Sequence, residues 1–128
     1  MKTKKHNLVV DRIYSLGYAI KGLLLLLQTE NAIKVHAFST ILLTIIGFIF
    51  QLNATEWMFQ FLTLGLVISI EALNTSVEKI ADFIQPNFDE KIGTIKDVSA
   101  GAVLFSGVFG AIVVGIIYIP KIILYFNL

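Results

Sequence analysis

The sequence predicts an all-α integral membrane protein, in which three transmembrane helices follow an amphipathic helix that lies at the membrane interface. Its 128 residues are 56% hydrophobic, and the mean hydropathy of +0.81 is well above that of a soluble domain. Two runs with almost no charge, 35–55 and 98–120, are each long enough to cross a hydrocarbon core of about 30 Å as a helix. The chain has no cysteine, which excludes a disulfide framework and thiol chemistry.

The first predicted helix covers about residues 8–28 and is interfacial. Asp11, Arg12 and Lys21 interrupt its apolar positions, so this segment is too charged to cross a bilayer, although it becomes more apolar toward its end. A polar break follows, and Thr29 is a candidate N-cap for the next helix.

The transmembrane helices are predicted at three places, and the whole chain, 1–128, forms a single domain. They cover about residues 30–50, 56–84 and 95–120. We expect Thr55 to cap the second of them. A Gln-Pro-Asn sequence at 85–87 stops the second helix before the third begins.

The distribution of basic residues predicts the orientation in the membrane. Nine of the ten Lys and Arg residues lie at the N-terminal end or around the second loop, and the short loop 51–56 has none. The positive-inside rule then places the N-terminus and the second loop in the cytoplasm. Lys121, on the far side, is the exception.

Three carboxylates form a stripe on the second transmembrane helix. Glu71 follows the charge-free run 57–70 without a turn signal, and Glu71, Glu78 and Asp82 fall within about 40° of one another around the helix axis. Like charges this close repel one another, and desolvation increases the cost. A divalent cation such as Mg²⁺ offsets such a cost. The alternative is a solvated helix end with its acids in water, but the direct junction of Glu71 with the apolar run argues against it.

Other polar residues reach the same membrane boundary and predict a chemistry. Glu30, Lys96 and Asp97 come from the starts of helices that this topology places beside the stripe. Several acids with a lysine, and no glycine-rich phosphate loop, suggest metal-assisted phosphoryl transfer. Glu71, the deepest acid, is suited to take a proton from the hydroxyl of a membrane lipid.

The residues of this region resemble a known family. The sequence EALNTSVEKIAD at 71–82, followed by KDVSAGAV at 96–103, is similar to the signature of the prokaryotic diacylglycerol kinases, a family that includes undecaprenol kinases. GYAIKG at 17–22 and ENAIKVH at 30–36 match the amino-terminal pattern of the same family. The resemblance covers about residues 12–120.

The resemblance implies a homotrimer whose active sites are shared between neighbouring subunits. It implies an ATP- and Mg²⁺-dependent lipid kinase that works on the cytoplasmic side of the bacterial inner membrane and has no nucleic-acid partner. The γ-phosphoryl group would pass to undecaprenol or diacylglycerol, giving undecaprenyl phosphate or phosphatidic acid. The loop that begins at Pro86 and the presence of His36 favour the undecaprenol-type members, and both acceptors stay open.

The resemblance also implies a role for each site residue. Glu71 would be the catalytic base, and Glu30 and Glu78 would bind Mg²⁺. The ATP site would be lined by Tyr18, Asn74, Asp82, Lys96 and Asp97, with Lys96 on the phosphates. The chain departs from the family pattern in having Lys34 where arginine is common and Ser99 where alanine is common. From the residues alone, His36 is expected to be an ordinary interfacial residue.

The main alternative is a small multidrug-type transporter, which is also short, helical and dependent on a membrane glutamate. Such a transporter carries its acid near the bilayer midplane, facing an aqueous cavity. Here the acids gather at one interface beside Lys96 and Asp97. A structural assembly protein is a second alternative, but it gives no reason for the acidic stripe.

Overall fold

Four helices make up the part of the chain that the computed structural model describes, residues 7–128. Three of them are long and apolar enough to cross a membrane, which confirms the all-helical architecture and the number of predicted spans. The basic residues among the first six positions, which contribute to the predicted orientation, lie outside the described residues.

The first helix, α1 (Leu8–Thr29), is capped by Asn7, whose side chain accepts a hydrogen bond from the Val9 amide. It contacts the start of the second helix, and none of its residues is buried. The prediction that Thr29 caps the second helix is wrong. The Thr29 hydroxyl donates instead to the Leu25 carbonyl of its own helix, and Glu30 occupies the N-cap position without a side-chain capping bond.

The first two membrane-spanning helices, α2 (Asn31–Ile49) and α3 (Ala54–Ile84), are joined by a tight turn. The predicted cap at Thr55 is wrong, because Asn53 caps α3. The Asn53 side chain accepts from the Glu56 amide, and the Glu56 carboxylate accepts from the Asn53 amide. This reciprocal capping box satisfies two backbone donors that would otherwise have no partner at the helix start.

The last helix, α4 (Glu90–Tyr125), begins earlier than the predicted residue 95 and ends later than the predicted residue 120. Its early start follows from Asp89, whose carboxylate accepts from the amides of Lys91 and Ile92. Pro120 lies inside the helix, near its end, where the loss of one backbone hydrogen bond interrupts little of the helix. With 36 residues, α4 is about 54 Å long and therefore extends beyond the hydrocarbon core.

The three spanning helices are joined at the end that holds the α2–α3 turn by a buried group that we call the polar clamp. It consists of the Gln60 side chain from α3, the Tyr118 hydroxyl from α4 and the Leu43 carbonyl from α2. Gln60 is 0% exposed and donates to the Leu43 carbonyl at 3.1 Å. The Tyr118 hydroxyl lies 2.5 Å from Gln60 Oε1 and 3.2 Å from the Leu43 carbonyl oxygen. Because all three polar groups bond one another, they can be buried at the junction of the helices.

Close packing surrounds the polar clamp. Leu52 and Ile117 are buried with Tyr118 in one apolar cluster, and Trp57 packs against that cluster. Gly47 is essential to the fit, since a Cβ atom there would lie 2.6 Å from Cη2 of the Trp57 ring. The end with the short turn is therefore closely packed around the polar clamp.

We predict that Tyr118→Phe lowers the free energy of unfolding by about 1 kcal/mol, because it leaves buried Gln60 Oε1 without a donor. Equilibrium unfolding with SDS in mixed micelles measures the change. Tyr125→Phe is the matched control, because Tyr125 is exposed and its hydroxyl makes no hydrogen bond within residues 7–128. Equal stability of the two variants would contradict a stabilising role for the polar clamp.

Candidate active site

The antiparallel order of the spanning helices brings the start of α2, the end of α3 and the start of α4 together at the end opposite the polar clamp. Two ion pairs show this arrangement. Lys79 Nζ on α3 lies 3.3 Å from Glu30 Oε1 at the start of α2. Lys96 on α4 donates a hydrogen bond to Asp82 on α3. Glu30, Asp82 and Lys96, which the sequence places at one boundary, therefore meet there.

Glu71 lies deeper in the bundle, on the same helix. It is 9% exposed, and it precedes the end of α3 by about 20 Å along the helix axis. Its Oε2 atom is 3.7 Å from Nε2 of His36 on α2. This contact differs from the sequence expectation of an ordinary interfacial histidine. The sequence does signal that His36 has a partner, since it is the one ionisable residue in the run 35–55 and ionisable groups inside a membrane bundle are usually paired, but it does not identify Glu71 as that partner.

Asn74 and Glu78 form a second polar pair, one helical turn apart on α3. The Asn74 amide nitrogen donates to Glu78 Oε1 at 3.3 Å. Asn74 Oδ1 points the other way and is buried without a hydrogen-bond partner. A buried oxygen without a partner is costly, so this atom is available to a cation or a hydrogen-bond donor that enters the site.

Two of the predicted site residues are not brought into these contacts. Tyr18 is 73% exposed on α1 and makes no hydrogen bond, ion pair or ring contact within residues 7–128. Asp97 is exposed next to Lys96 and, in the same part of the chain, has no ion pair. A single chain therefore brings Glu30, Asp82 and Lys96 together at this end but leaves Tyr18 and Asp97 outside these contacts.

The oxygen atoms at this end suit a magnesium ion that takes its remaining ligands from water and phosphate. No group of three or more His, Asp or Glu side chains within residues 7–128 is arranged to hold a metal. Mg²⁺ usually takes one or two protein carboxylates and completes its coordination with water and phosphate oxygens. Thr29 and Lys79 both bond Glu30 through Oε1, which leaves Oε2 without a bond from the described residues. Glu30 Oε2 and the Glu78 carboxylate are therefore oxygen atoms of the type that such an ion takes from a protein.

Lys79 was not predicted to lie at this site, because in the sequence it served only to predict the orientation of the chain in the membrane. Lys79 follows Glu78 directly and bonds Glu30 across the α2–α3 contact. This ion pair places Glu30 at the level of Glu78 along the bundle. Its signal in the sequence is a basic residue directly after Glu78, which suggests an ion pair but does not identify the partner.

Acids and lysines gather at one end of this bundle of membrane-spanning helices, and a carboxylate that contacts a histidine is buried below them. This is the architecture of a small multi-pass membrane enzyme. Comparison with known proteins agrees. Residues 17–118 match the family described as Prokaryotic diacylglycerol kinase, and the chain belongs to this family.

The relatives include enzymes that carry two different names. The chain is 32% identical to the undecaprenol kinase of Bacillus subtilis over 123 residues, which are 95% of this chain and 100% of that protein. It is 28% identical to a diacylglycerol kinase of Synechocystis over 112 residues, covering 87% of this chain and 64% of that protein. The diacylglycerol kinase of Escherichia coli is 29% identical over 94 residues, covering 73% of this chain and 77% of that protein.

These comparisons confirm that the protein resembles the family named from its motifs. The chain is a lipid kinase, a transferase of bacterial lipid metabolism with three apolar helices that suit a membrane. The transporter alternative is not favoured, since the named relatives are all kinases.

Proposed function

We propose that this protein transfers the γ-phosphoryl group of ATP to the hydroxyl group of undecaprenol, with Mg²⁺, on the cytoplasmic side of the bacterial inner membrane. One observation carries the proposal. A single helix, α3, holds Glu71 among apolar residues and then Glu78 and Asp82 toward its end, where α2 and α4 add Glu30 and Lys96. A lipid hydroxyl and a water-soluble nucleotide can therefore approach the same row of side chains from opposite directions.

Glu71 is the catalytic base in this proposal. As the acceptor oxygen bonds to the γ-phosphorus, the bond from that phosphorus to the bridging oxygen breaks and ADP leaves. The acceptor's hydroxyl proton passes to the Glu71 carboxylate. Lys96 donates hydrogen bonds to phosphate oxygens of ATP that lie nearer the end of α3, where its positive charge offsets their negative charge. Asp82, which accepts from Lys96 in the structure, orients the ammonium group.

Glu30 and Glu78 bind Mg²⁺ in this proposal, and Tyr18, Asn74, Asp82 and Asp97 complete the nucleotide site with Lys96. When bound, the metal neutralises phosphate charge and orients the phosphates. The unpartnered Asn74 Oδ1 and the free Glu30 Oε2 support these assignments, because both atoms are oxygen acceptors whose bonding capacity the described residues leave unused.

A homotrimer with active sites shared between subunits belongs to the proposal as well. Tyr18 is exposed on α1, which has no buried residue, and the cluster of acids lies on the other helices. A neighbouring subunit that presents its own Tyr18 to this cluster would complete the nucleotide site without rearranging the fold of the single chain.

Undecaprenol is the first candidate acceptor because the undecaprenol kinase of Bacillus subtilis matches 95% of this chain and its own entire length. Diacylglycerol is the second candidate, because the other relatives described above are diacylglycerol kinases. ATP consumption in detergent micelles that contain one acceptor at a time, at equal mole fraction, tests the choice. We predict faster turnover with undecaprenol. Faster turnover with diacylglycerol would reverse the order of the acceptors, and turnover with neither would contradict both.

We predict that Glu71→Gln lowers kcat about 10²- to 10⁴-fold, the contribution typical of a general base, which equals about 3 to 5 kcal/mol of activation free energy. The apparent affinities for ATP and Mg²⁺ should remain close to those of the unmodified protein, because other residues hold them. Steady-state kinetics with the acceptor in micelles measures both quantities.

The matched control for this experiment is Glu56→Gln. It removes the same charge at the opposite end of α3, where Glu56 pairs with Lys121 at 3.1 Å, and turnover should persist. If Glu71→Gln instead weakens nucleotide binding while kcat at saturation survives, Glu71 is a binding residue and the base lies elsewhere.

We predict that Glu78→Gln raises the Mg²⁺ concentration needed for half-maximal activity, because a neutral amide replaces a carboxylate ligand of a hard cation. A titration of initial rate against Mg²⁺ at fixed ATP measures the shift, and circular dichroism confirms that the helices persist. An unchanged titration curve would remove Glu78 from the metal site.

A further inference from the structure

We infer that His36 is a positioning residue for the lipid kinase reaction: its imidazole holds the carboxylate of Glu71 in the orientation needed to receive the acceptor's proton. The inference rests on the proposed role of Glu71 as the base. His36 would act through Glu71 and would touch neither the nucleotide nor the reacting phosphorus.

The contacts at this end of the bundle single out His36. Within residues 7–128, the polar side chain in contact with Glu71 is that of His36, at 3.7 Å from Nε2 to Oε2. The two lysines that contact acids nearby are engaged with other carboxylates, Lys79 with Glu30 and Lys96 with Asp82. Among residues 7–128, no lysine therefore contacts the carboxylate of Glu71 directly.

Glu71 is the more buried member of this pair, since its side chain is 12% exposed and that of His36 is 31% exposed. A carboxylate in apolar surroundings is free to rotate among orientations unless a donor holds one of its oxygens. With Oε2 held by Nε2–H, the other oxygen of Glu71 remains free to accept the proton.

The separation of 3.7 Å is slightly longer than a hydrogen bond. Polar contacts of this kind are often long before substrate binds and tighten in the reactive complex. His36 sits on α2, whose position relative to α3 is fixed at the other end by the bond from Gln60 to the Leu43 carbonyl. A small inward movement of the imidazole is therefore sufficient to close the bond.

The experiment compares two replacements of His36 in the full-length protein in micelles. His36→Gln keeps an N–H donor close to the place of Nε2, and His36→Leu keeps the bulk without the donor. We expect His36→Leu to lower kcat about ten- to a hundredfold, the loss typical of removing a side chain that orients a functional group. The KM values for ATP and for the acceptor should be unchanged, and His36→Gln should recover most of the activity.

A double-mutant comparison separates positioning from a general structural effect. If His36 acts through Glu71, His36→Leu should cause no further loss of kcat in a Glu71→Gln protein, because the group that it positions is already absent. Losses that multiply in the double variant would overturn the inference, as would equal activities of His36→Leu and His36→Gln. Ser39→Ala is the matched control on α2, since the one bond of the Ser39 hydroxyl to any described residue is to the Val35 carbonyl of its own helix.

The outcomes also distinguish this inference from the proposed function. If Glu71→Gln loses kcat while His36→Leu does not, the base assignment stands and the inference falls. If Glu71→Gln keeps its kcat, both fall. Should His36→Leu not fold, His36→Asn replaces it: the shorter amide cannot reach Glu71, and activity equal to that of His36→Gln would overturn the inference.

Discussion

A polar group buried inside a membrane bundle is costly unless it bonds another group of the protein, because lipid offers it no partner. The polar clamp satisfies this requirement with three groups from three different helices. The requirement restricts how the helices pack, since Gln60 keeps its hydrogen bonds only where the Leu43 carbonyl and the Tyr118 hydroxyl both reach it. This junction fixes the position of α2, α3 and α4 relative to one another at the end with the α2–α3 turn.

The two ends of the bundle are held together in different ways. The end with the α2–α3 turn has an apolar cluster, close packing of Trp57 on Gly47 and the buried polar clamp. The other end has the buried apolar residues Ile33 and Ala81 and is also joined by ion pairs such as Lys79 with Glu30, where the lysine side chain is 62% exposed. Exposed ion pairs contribute little to stability. The ligands of a reaction can therefore replace these ion pairs while the buried contacts at both ends keep the helices in place.

Much of this architecture could be predicted from the sequence, because hydrophobic runs and charge distribution report directly on membrane spans. The acidic stripe was equally accessible, since helical spacing alone places Glu71, Glu78 and Asp82 on one face. What could not be predicted were the partners across helices. Nothing local in the sequence shows that Lys79 bonds Glu30 or that His36 faces Glu71. The capping errors at Thr29 and Thr55 have a related cause, because several polar residues were available near each helix start and only the backbone geometry decides which one caps.

The length of α3 has a consequence for how this lipid kinase meets its substrates. With 31 residues the helix is about 46 Å long, which exceeds the hydrocarbon thickness, so one continuous element passes from lipid into water. The acceptor arrives by diffusion within the plane of the bilayer, whereas a soluble phosphoryl donor arrives from three dimensions. The quantity that governs acceptor supply is therefore its mole fraction among the surrounding lipids. Adding inert lipid dilutes the acceptor, while a change in aqueous volume does not.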